Sequence, residues 1–230
     1  MGNYGYTDIF ASKGIEYLLI IAFLILLILF LRWLTKPEKT VLNVKRLFLV
    51  DWFHLAGDYY YHQGHSWVAS DKAGFVKVGM DDFSQKLLGK MDSISLPDVG
   101  DKVCQGEKGW CLQIDSNNID MLSPVDGKVV EVNTSVLKDP EIINKDPYYK
   151  GWLFKVRMEK HKAGIKNLIT GKVAKAWLQE TVSKISMLIT GNREVVLQDG
   201  GMISSGFVRE LSPDNWINTA RELLLTDDLN

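Results

Sequence analysis

Two closely spaced histidines come nearest to a metal-binding pattern in this sequence. His62 and His65 lie three residues apart in the stretch HQGH, a spacing that could bring two imidazoles to one metal ion. Zinc normally takes four ligands, at least three of them from the protein, and no cysteine or carboxylate pattern completes this pair. We therefore predict that both histidines are structural and that the chain has no metal site.

The cysteines and serines give no reactive pattern either. Cys104 and Cys111 are the only two cysteines, whereas a redox pair favours CxxC at a helix N-terminus, where the thiolate is stabilised. Ser116 and Ser123 lack the GxSxG elbow of hydrolases. No run of glycines matches a phosphate-binding loop or a dinucleotide fingerprint. The sequence therefore predicts a protein that is not an enzyme and that holds no cofactor.

Composition narrows the class of partner. The 230 residues contain 27 Lys and Arg against 28 Asp and Glu, for a net charge of −1. A nucleic-acid-binding protein normally shows a basic excess or a basic stripe, so no nucleic acid is expected. The hydrophobic share of 46% and the charged share of 24% are typical of a globular chain. The length suits one domain with additional segments.

Residues 17–34, YLLIIAFLILLILFLRWL, predict a single transmembrane helix. No polar side chain occurs from Leu18 to Leu31, and eighteen helical residues span about 27 Å, close to the roughly 30 Å hydrocarbon core. A signal peptide would carry its basic residues before the apolar run. Here they follow it, at Arg32, Lys36, Lys39, Lys45 and Arg46. The positive-inside rule then predicts residues 1–16 outside and the bulk of the chain in the cytoplasm.

Residues 35–60 are predicted to form a juxtamembrane segment. Residues 40–61 are unexpectedly apolar and aromatic, and two roles stay open for them. They could pack on the core of the following domain, or they could dock on a partner or a membrane surface.

Residues 66–158 predict a β-rich α+β domain, because short alternating runs are separated by Gly, Pro, Asn and Asp. The predicted elements are a strand, turn and strand over 66–80, a short helix ending at Gly89, strands at 109–115 and 120–132 around a turn at 116–118, a turn or short helix from Asp139, and a closing strand over 151–158.

Residues 161–230 predict a helix, a hairpin and a second helix. Val173, Ala176, Trp177, Val182 and Ile185 recur near helical spacing. The hairpin would turn at residues 199–200. The motif Ser-Pro-Asp at 212–214 would supply an N-cap, a first-turn proline and a first-turn acid for the last helix.

An ordered set of sequence pieces carries a family resemblance. The pieces are HSWV at 65–68, VGMDDFSQKLLG at 78–89, SLPDVGDKV at 95–103, SPVDGKVVEVN at 123–133, DPEIINKDPY at 139–148 and GWLFKVRM at 151–158. They resemble the H protein of the glycine cleavage system, a hammerhead domain (barrel-sandwich hybrid) of the lipoyl/biotinyl type. NLITGKVAKAWL at 167–178 is similar to the C-terminal helix of that family. The resemblance implies this domain over residues 61–160.

The same resemblance implies a lipoyl lysine on a hairpin, eight residues ahead of the proline of the SPV element. Counting back from Pro124 reaches Ser116, and no lysine occurs from Trp110 to Val125. A serine hydroxyl cannot form the amide that holds lipoate. We therefore expect an H-protein-like fold without its carrier residue.

These features predict a non-catalytic, membrane-anchored scaffold subunit on the cytoplasmic face of a bacterial membrane complex. The predicted host is a respiratory or electron-transfer complex, with haem or iron–sulfur proteins among the candidate partners. Aromatic residues are favoured at interface hot spots, and the candidate partner contacts are Trp52, Phe53, Trp110, Trp177 and Trp216. The alternative is a true lipoyl carrier, in glycine cleavage or in lipoate handling, that is modified at another lysine.

Overall fold

The structure is a computed structural model that describes residues 9–34, 47–71, 74–158, 164–189, 197–198 and 202–227. The chain divides into two compact units, Met1–Val44 and Lys45–Asn230.

The first unit contains one helix, α1, over Ile9–Leu34. Side chains are described at positions 14 and 16–30, where large apolar residues are exposed, from 37% at Leu27 to 67% at Leu18. Within the described residues, the structure contains no helix that combines the length and apolar character required to cross a membrane. The transmembrane helix over 17–34 therefore stays a prediction. Residues 1–8 and 35–46 lie outside the described residues.

The second unit is built mainly of short antiparallel strands. They are β1 Leu47–Val50, β2 Phe53–Ala56, β3 Tyr60–His62, β4 Ser66–Ser70, β5 Phe75–Met80, β6 Ser93–Ser95, β7 Lys102–Val103, β8 Lys108–Ile114, β9 Asn117–Leu122, β10 Gly127–Val132, β11 Phe154–Arg157, β12 Ile169–Thr170, β13 Leu197–Gln198 and β14 Met202–Ile203. Seven of them form one sheet in the order β12-β3-β4-β5-β11-β10-β7, and three form a second sheet in the order β6-β8-β9. The pairs β1-β2 and β13-β14 are separate hairpins.

Six helices complete this unit among the described residues. They are α2 Asp82–Leu88, α3 Thr134–Lys138, α4 Glu141–Lys145, α5 Gly171–Ile189, α6 Val208–Leu211 and α7 Trp216–Leu223. Helix α2 begins at an Asp81 cap, whose side chain accepts from the Ser84 N–H at 2.8 Å, and ends at Gly89. The predicted short helix, with its glycine stop, is confirmed.

The alternation of apolar and polar residues along the strands determines which side chains form the core. On β8, Trp110, Leu112 and Ile114 are buried, whereas Gln113 points to solvent, as expected for side chains that alternate between the faces of a sheet. Trp67 on β4 is fully buried, and its Nε1 donates to the Met80 carbonyl at 2.7 Å.

Residues 47–61 join this core. Phe53, Leu55, Tyr59 and Tyr61 are all buried, and the Tyr61 hydroxyl donates to the Ala56 carbonyl at 2.9 Å. For these residues the structure favours core packing, one of the two roles that the sequence leaves open for the stretch 40–61. Residues 40–46 of that stretch lie outside the described residues.

One predicted strand is wrong. Residues 120–132 are not continuous, because β9 ends at Leu122 and β10 begins at Gly127. The intervening turn contains Pro124, which has no N–H for a sheet ladder, and the Ser123 hydroxyl donates to the Val125 carbonyl at 2.9 Å. The chain crosses here from the three-stranded sheet to the seven-stranded sheet.

The C-terminal elements also differ in detail from the prediction. The last helix begins at Trp216 rather than after Ser212, because residues 212–215 form a turn in which the Asn215 N–H donates to the Ser212 carbonyl at 3.2 Å. At the start of helix α5, the buried face is displaced by one residue from the face predicted from the sequence. Val173, which was predicted to be on the buried face, is therefore 62% exposed. The residues buried on that face are Ala174, Leu178, Val182 and Ile185. The predicted turn at 199–200 lies outside the described residues.

Candidate functional site

The β8–β9 hairpin ends in a tight two-residue turn. Ile114 pairs with Asn117, so Asp115 and Ser116 form the tip. Both tip residues have left-handed backbones, with φ of 48° and 67°, which is the geometry of a type I′ hairpin turn. Ser116 is exposed. The structure therefore places Ser116 at the outermost point of the hairpin.

The nearest lysine in the sequence before this tip lies at the opposite end of the hairpin. Lys108 begins β8 and pairs with Leu122, which puts it about 20 Å from the turn at strand spacing. Its Nζ lies 2.7 Å from the Asp120 Oδ1, and the hydrogen bond to Asp120 raises the pKa of Lys108. Forming an amide needs the neutral amine, so this ion pair opposes modification of Lys108.

The C-terminal segment holds the hairpin tip. Arg209, at α6, donates from Nε and Nη2 to the Asp115 Oδ2 at 3.0 and 2.8 Å. Its Nη1 donates to the Leu88 carbonyl at 2.8 Å, and its guanidinium lies 4.7 Å from the ring centroid of Trp216. Arg221 Nη2 donates to the Asn118 carbonyl at 3.2 Å. The C-terminal segment that contains α6 and α7 therefore holds one side of the hairpin tip.

The same segment packs into the core beside α2. Phe207 is fully buried, with ring centroids 6.2 Å from Phe83 and 6.3 Å from Phe53. The Gly206 N–H donates to the Lys86 carbonyl at 2.7 Å. A Cβ built on Gly89 would lie 2.8 Å from the Gly206 Cα, so glycine at the end of α2 allows the two backbones to meet.

Both cysteines are free thiols in environments that disfavour the thiolate. The charge of Glu107 raises the pKa of the exposed Cys104. Burial raises the pKa of Cys111. Reactive cysteines need the opposite shift.

The two histidines of the HQGH stretch have separate partners. The His65 Nδ1 lies 2.8 Å from the Asp81 Oδ2, with both side chains buried. The His62 Nδ1 accepts from the Gly64 N–H at 3.1 Å, and burial lowers the pKa of His62. In the part of the chain that the structure describes, no three His, Cys, Asp or Glu side chains group as metal ligands.

The five candidate partner contacts divide into two groups. Phe53 and Trp110 are 0% and 2% exposed, so they pack the core and offer no surface to a partner. For these two residues the prediction is corrected. Trp52, Trp177 and Trp216 are half-buried at the surface, and their role as partner contacts stays a prediction.

Arg209 was not identified from the sequence. It occurs as a single arginine in the stretch SSGFVREL, with no motif around it. Its partner Asp115 lies 94 residues earlier in the chain. No local pattern pointed to this contact.

Comparison with known proteins gives a consistent family. The model of the family described as "Glycine cleavage H-protein" matches residues 59–181, more than half of the 230-residue chain. The glycine cleavage system H protein of Marinobacter nauticus is 38% identical over 104 residues, covering 45% of this chain and 80% of that protein. The H protein of Hydrogenovibrio crunogenus is 42% identical over 96 residues, covering 42% and 74%. H protein 4 of Aquifex aeolicus is 36% identical over 137 residues, covering 60% and 79%.

Among solved structures, a glycine cleavage system H protein from Mycobacterium marinum matches with 30% sequence identity and a TM-score of 0.49. The match covers 56% of this chain and 99% of that one.

Proposed function

This chain belongs to the glycine cleavage H-protein family, and we propose that it is a member without a carrier residue, which uses the fold as a non-catalytic binding module. A lipoyl carrier needs a primary amine at a position that a modifying enzyme and successive partners can all reach. The observation that carries the proposal is the hairpin tip, where Asp115 and Ser116 supply no amine.

The surroundings of the tip support the same conclusion. Arg209 holds Asp115 through two hydrogen bonds and is itself anchored to Leu88 and Trp216. A swinging arm requires a tip that can present itself freely. Here the extension occupies one side of it. The proposed role of this domain is therefore to bind other proteins, and the half-buried Trp52, Trp177 and Trp216 are its candidate anchors.

The test is lipoylation followed by intact-mass measurement. The full-length chain is co-expressed with a lipoate ligase, alongside a Ser116→Lys variant that restores the amine and a Ser135→Lys variant that places one on an exposed helix. We expect the wild-type and Ser135→Lys chains to keep their unmodified mass and Ser116→Lys to gain one lipoyl group. A lipoyl group on the wild-type chain would overturn the proposal, and peptide mapping would then identify the lysine used.

A double variant separates the two obstacles to modification. Ser116→Lys combined with Arg209→Ala keeps the new amine and removes the contact to Asp115. If this variant is modified faster than Ser116→Lys, the C-terminal segment restricts access to the tip. Equal rates would mean that the absence of a lysine is the only obstacle to modification and that the C-terminal segment does not restrict access.

The second candidate function is a lipoyl carrier in glycine cleavage. The observation that favours it is that the three relatives described above are all named glycine cleavage system H protein and share 36% to 42% identity with this chain. It requires modification at a lysine outside the tip, with Lys108 as the nearest preceding one. The same mass measurement decides between the two functions.

The proposal includes the membrane attachment and the cytoplasmic placement expected from the sequence. Its support is the run without polar side chains from Leu18 to Leu31 and the basic residues that follow it, since exposed apolar surface of this extent is costly in water. Carbonate extraction of membranes tests it. Arginine at both Leu24 and Ile25 costs about 5–7 kcal/mol of insertion and should release the chain, whereas alanine at both positions should not.

The proposed host is a membrane-bound respiratory or electron-transfer complex. The test is purification in mild detergent, with partner chains identified by mass spectrometry and cofactors by visible absorption. Stoichiometric membrane partners with haem or iron–sulfur absorption would support an accessory subunit. Recovery with glycine cleavage enzymes instead would favour the carrier function.

A further inference from the structure

Helix α5, Gly171–Ile189, carries apolar side chains on the face that points away from the core. In the described part of the helix, Val173 is 62% exposed, Met187 74% and Leu188 58%. Trp177 lies between them along the helix and is half-buried. A surface helix normally keeps its outer face polar, and exposed apolar groups gathered on one face indicate a contact with another molecule.

An ion pair lies at the middle of the same face. The Lys184 Nζ lies 3.0 Å from the Glu180 Oε1, and the two side chains are 68% and 67% exposed. Positions 173, 177, 180, 184, 187 and 188 fall on one stripe, because steps of three and four residues follow the 3.6-residue turn of the helix. The outer face of α5 therefore has charges at its centre and apolar groups towards both ends.

This arrangement is complementary to itself when a second helix runs in the opposite direction. With a twofold axis at the level of Val182, each residue lies opposite the one that is equally far from Val182 on the other side. Glu180 then meets Lys184 of the second copy, and Lys184 meets Glu180 of the second copy. A twofold contact repeats every interaction, so the register gives two ion pairs between the copies.

The same register also matches the apolar residues. Trp177 lies opposite Met187 of the second copy, and the exposed Ala176 lies opposite its Leu188. A thioether against an aromatic ring is a favourable contact. A parallel pair would instead place Glu180 beside Glu180 of the second copy, where like charges repel. The charges therefore favour the antiparallel arrangement.

A cavity beside Trp177 offers space for a side chain of the second copy. It measures about 420 Å³, and Trp177 lines it together with Thr181 of α5, Leu223 of α7 and Leu225. Met187 of the second copy, which lies opposite Trp177 in this register, is the side chain placed to enter it. Methionine is unbranched and flexible and fills irregular gaps well.

We propose that the outer face of α5 binds a second copy of this chain as an antiparallel pair. Glu180 and Lys184 form ion pairs between the copies, and Trp177 packs against Met187 at both ends. The helix has 19 residues, so it is about 28 Å long and about 10 Å across. That contact is smaller than the roughly 1,200 Å² of a stable interface, so we expect weak association and a monomeric chain in dilute solution.

The pairing extends the proposed function, because it assigns Trp177, one of the candidate anchors of the binding module, to a second copy. The two proposals fail separately. Lipoylation of the wild-type chain would overturn the missing-carrier function and leave the pairing of α5 untouched, since the hairpin tip takes no part in the outer face of that helix.

The test is charge reversal in the full-length chain, in a neutral maltoside detergent, with association followed by sedimentation equilibrium over a range of protein concentrations. Glu180→Lys leaves only positive charge at the centre of the face, and Lys184→Glu leaves only negative charge. Each variant alone should associate about tenfold more weakly than the wild type, since two ion pairs are lost at about two- to fivefold each. An equimolar mixture of the two variants should associate at least as tightly as the wild type, because the copies are then complementary.

A matched control separates this contact from general charge effects. Glu141→Lys reverses the acidic member of an exposed ion pair of the same spacing on α4, where the partner is Lys145, and should leave association unchanged. Recovery in the mixture also shows that both α5 variants are folded.

Three results would overturn the proposal. The first is a wild-type chain that stays monomeric up to about 1 mM, the range of the weakest specific contacts. The second is equal association of the wild type and both single variants, which would put the contact elsewhere, for example on α1. The third is a mixture that associates no more tightly than the separate variants, which would exclude the antiparallel register.

Discussion

Replacing Phe207 by alanine tests whether the C-terminal segment is part of the folded domain. Its side chain is fully buried between Phe53 and Phe83. A buried aromatic side chain removes about 150–250 Å² from water, which at about 25 cal/mol per Å² corresponds to about 4–6 kcal/mol. Alanine keeps part of that area, and measured Phe→Ala substitutions in cores cost about 3–5 kcal/mol. We expect the free energy of unfolding to fall by about 4 kcal/mol.

The assay is unfolding of the full-length chain in detergent, by heat and by denaturant, followed by near-ultraviolet circular dichroism. For a unit of this size, each kcal/mol lowers Tm by about 2–4 °C, so Phe207→Ala should lower Tm by about 8–16 °C. Met187→Ala is the control, because Met187 on α5 is 74% exposed. This variant should change the stability by less than about 0.5 kcal/mol.

Two results would refute the reasoning. The first is a loss below about 1 kcal/mol for Phe207→Ala, which would mean that the ring does not fill a packed site. The second is a separate early transition that leaves the main one at its wild-type position. That result would show that the C-terminal segment unfolds by itself and does not belong to the cooperative unit.

Three further predictions concern packing, the hairpin tip and pH. Gly79→Ala should destabilise the fold by about 1–3 kcal/mol in denaturant titrations, because a Cβ there would overlap the buried Trp67 ring; an unchanged midpoint would contradict this packing. Arg209→Ala should speed hydrogen exchange of the Asp115 amide, which NMR can follow, because two hydrogen bonds to that side chain are lost; Lys145→Ala, on α4, should not. Burial raises the pKa values of three tyrosines, Tyr59, Tyr61 and Tyr148. In the unfolded chain tyrosines lose their protons near pH 10, while these stay protonated in the fold, so stability is fully present below pH 10 and falls as pH rises above it. Tyr59→Phe should reduce the slope of that fall by up to about 1.4 kcal/mol per pH unit, and an unchanged slope would argue against the buried Tyr59.

The local sequence pattern was sufficient to predict those strands and helices whose conformation depends on neighbouring residues in the chain. The two strands within 66–80 and the helix that ends at Gly89 are confirmed, because alternation, an aspartate cap and a glycine stop act over a few residues. The start of the last helix was wrong for a related reason. Ser212 has the right residue type for a cap, but a turn at 212–215 competes for the same backbone groups.

The sequence by itself determined the family, the β-rich fold and the absence of a lysine between Trp110 and Val125, since all three depend on residue types in a given order. Tertiary structure alone decided that Phe53 and Trp110 are core residues and that Arg209 reaches Asp115. These contacts join residues that lie far apart in the chain. Their geometry follows from how α5, α6 and α7 pack on the sheets, and no local pattern of residues encodes that packing.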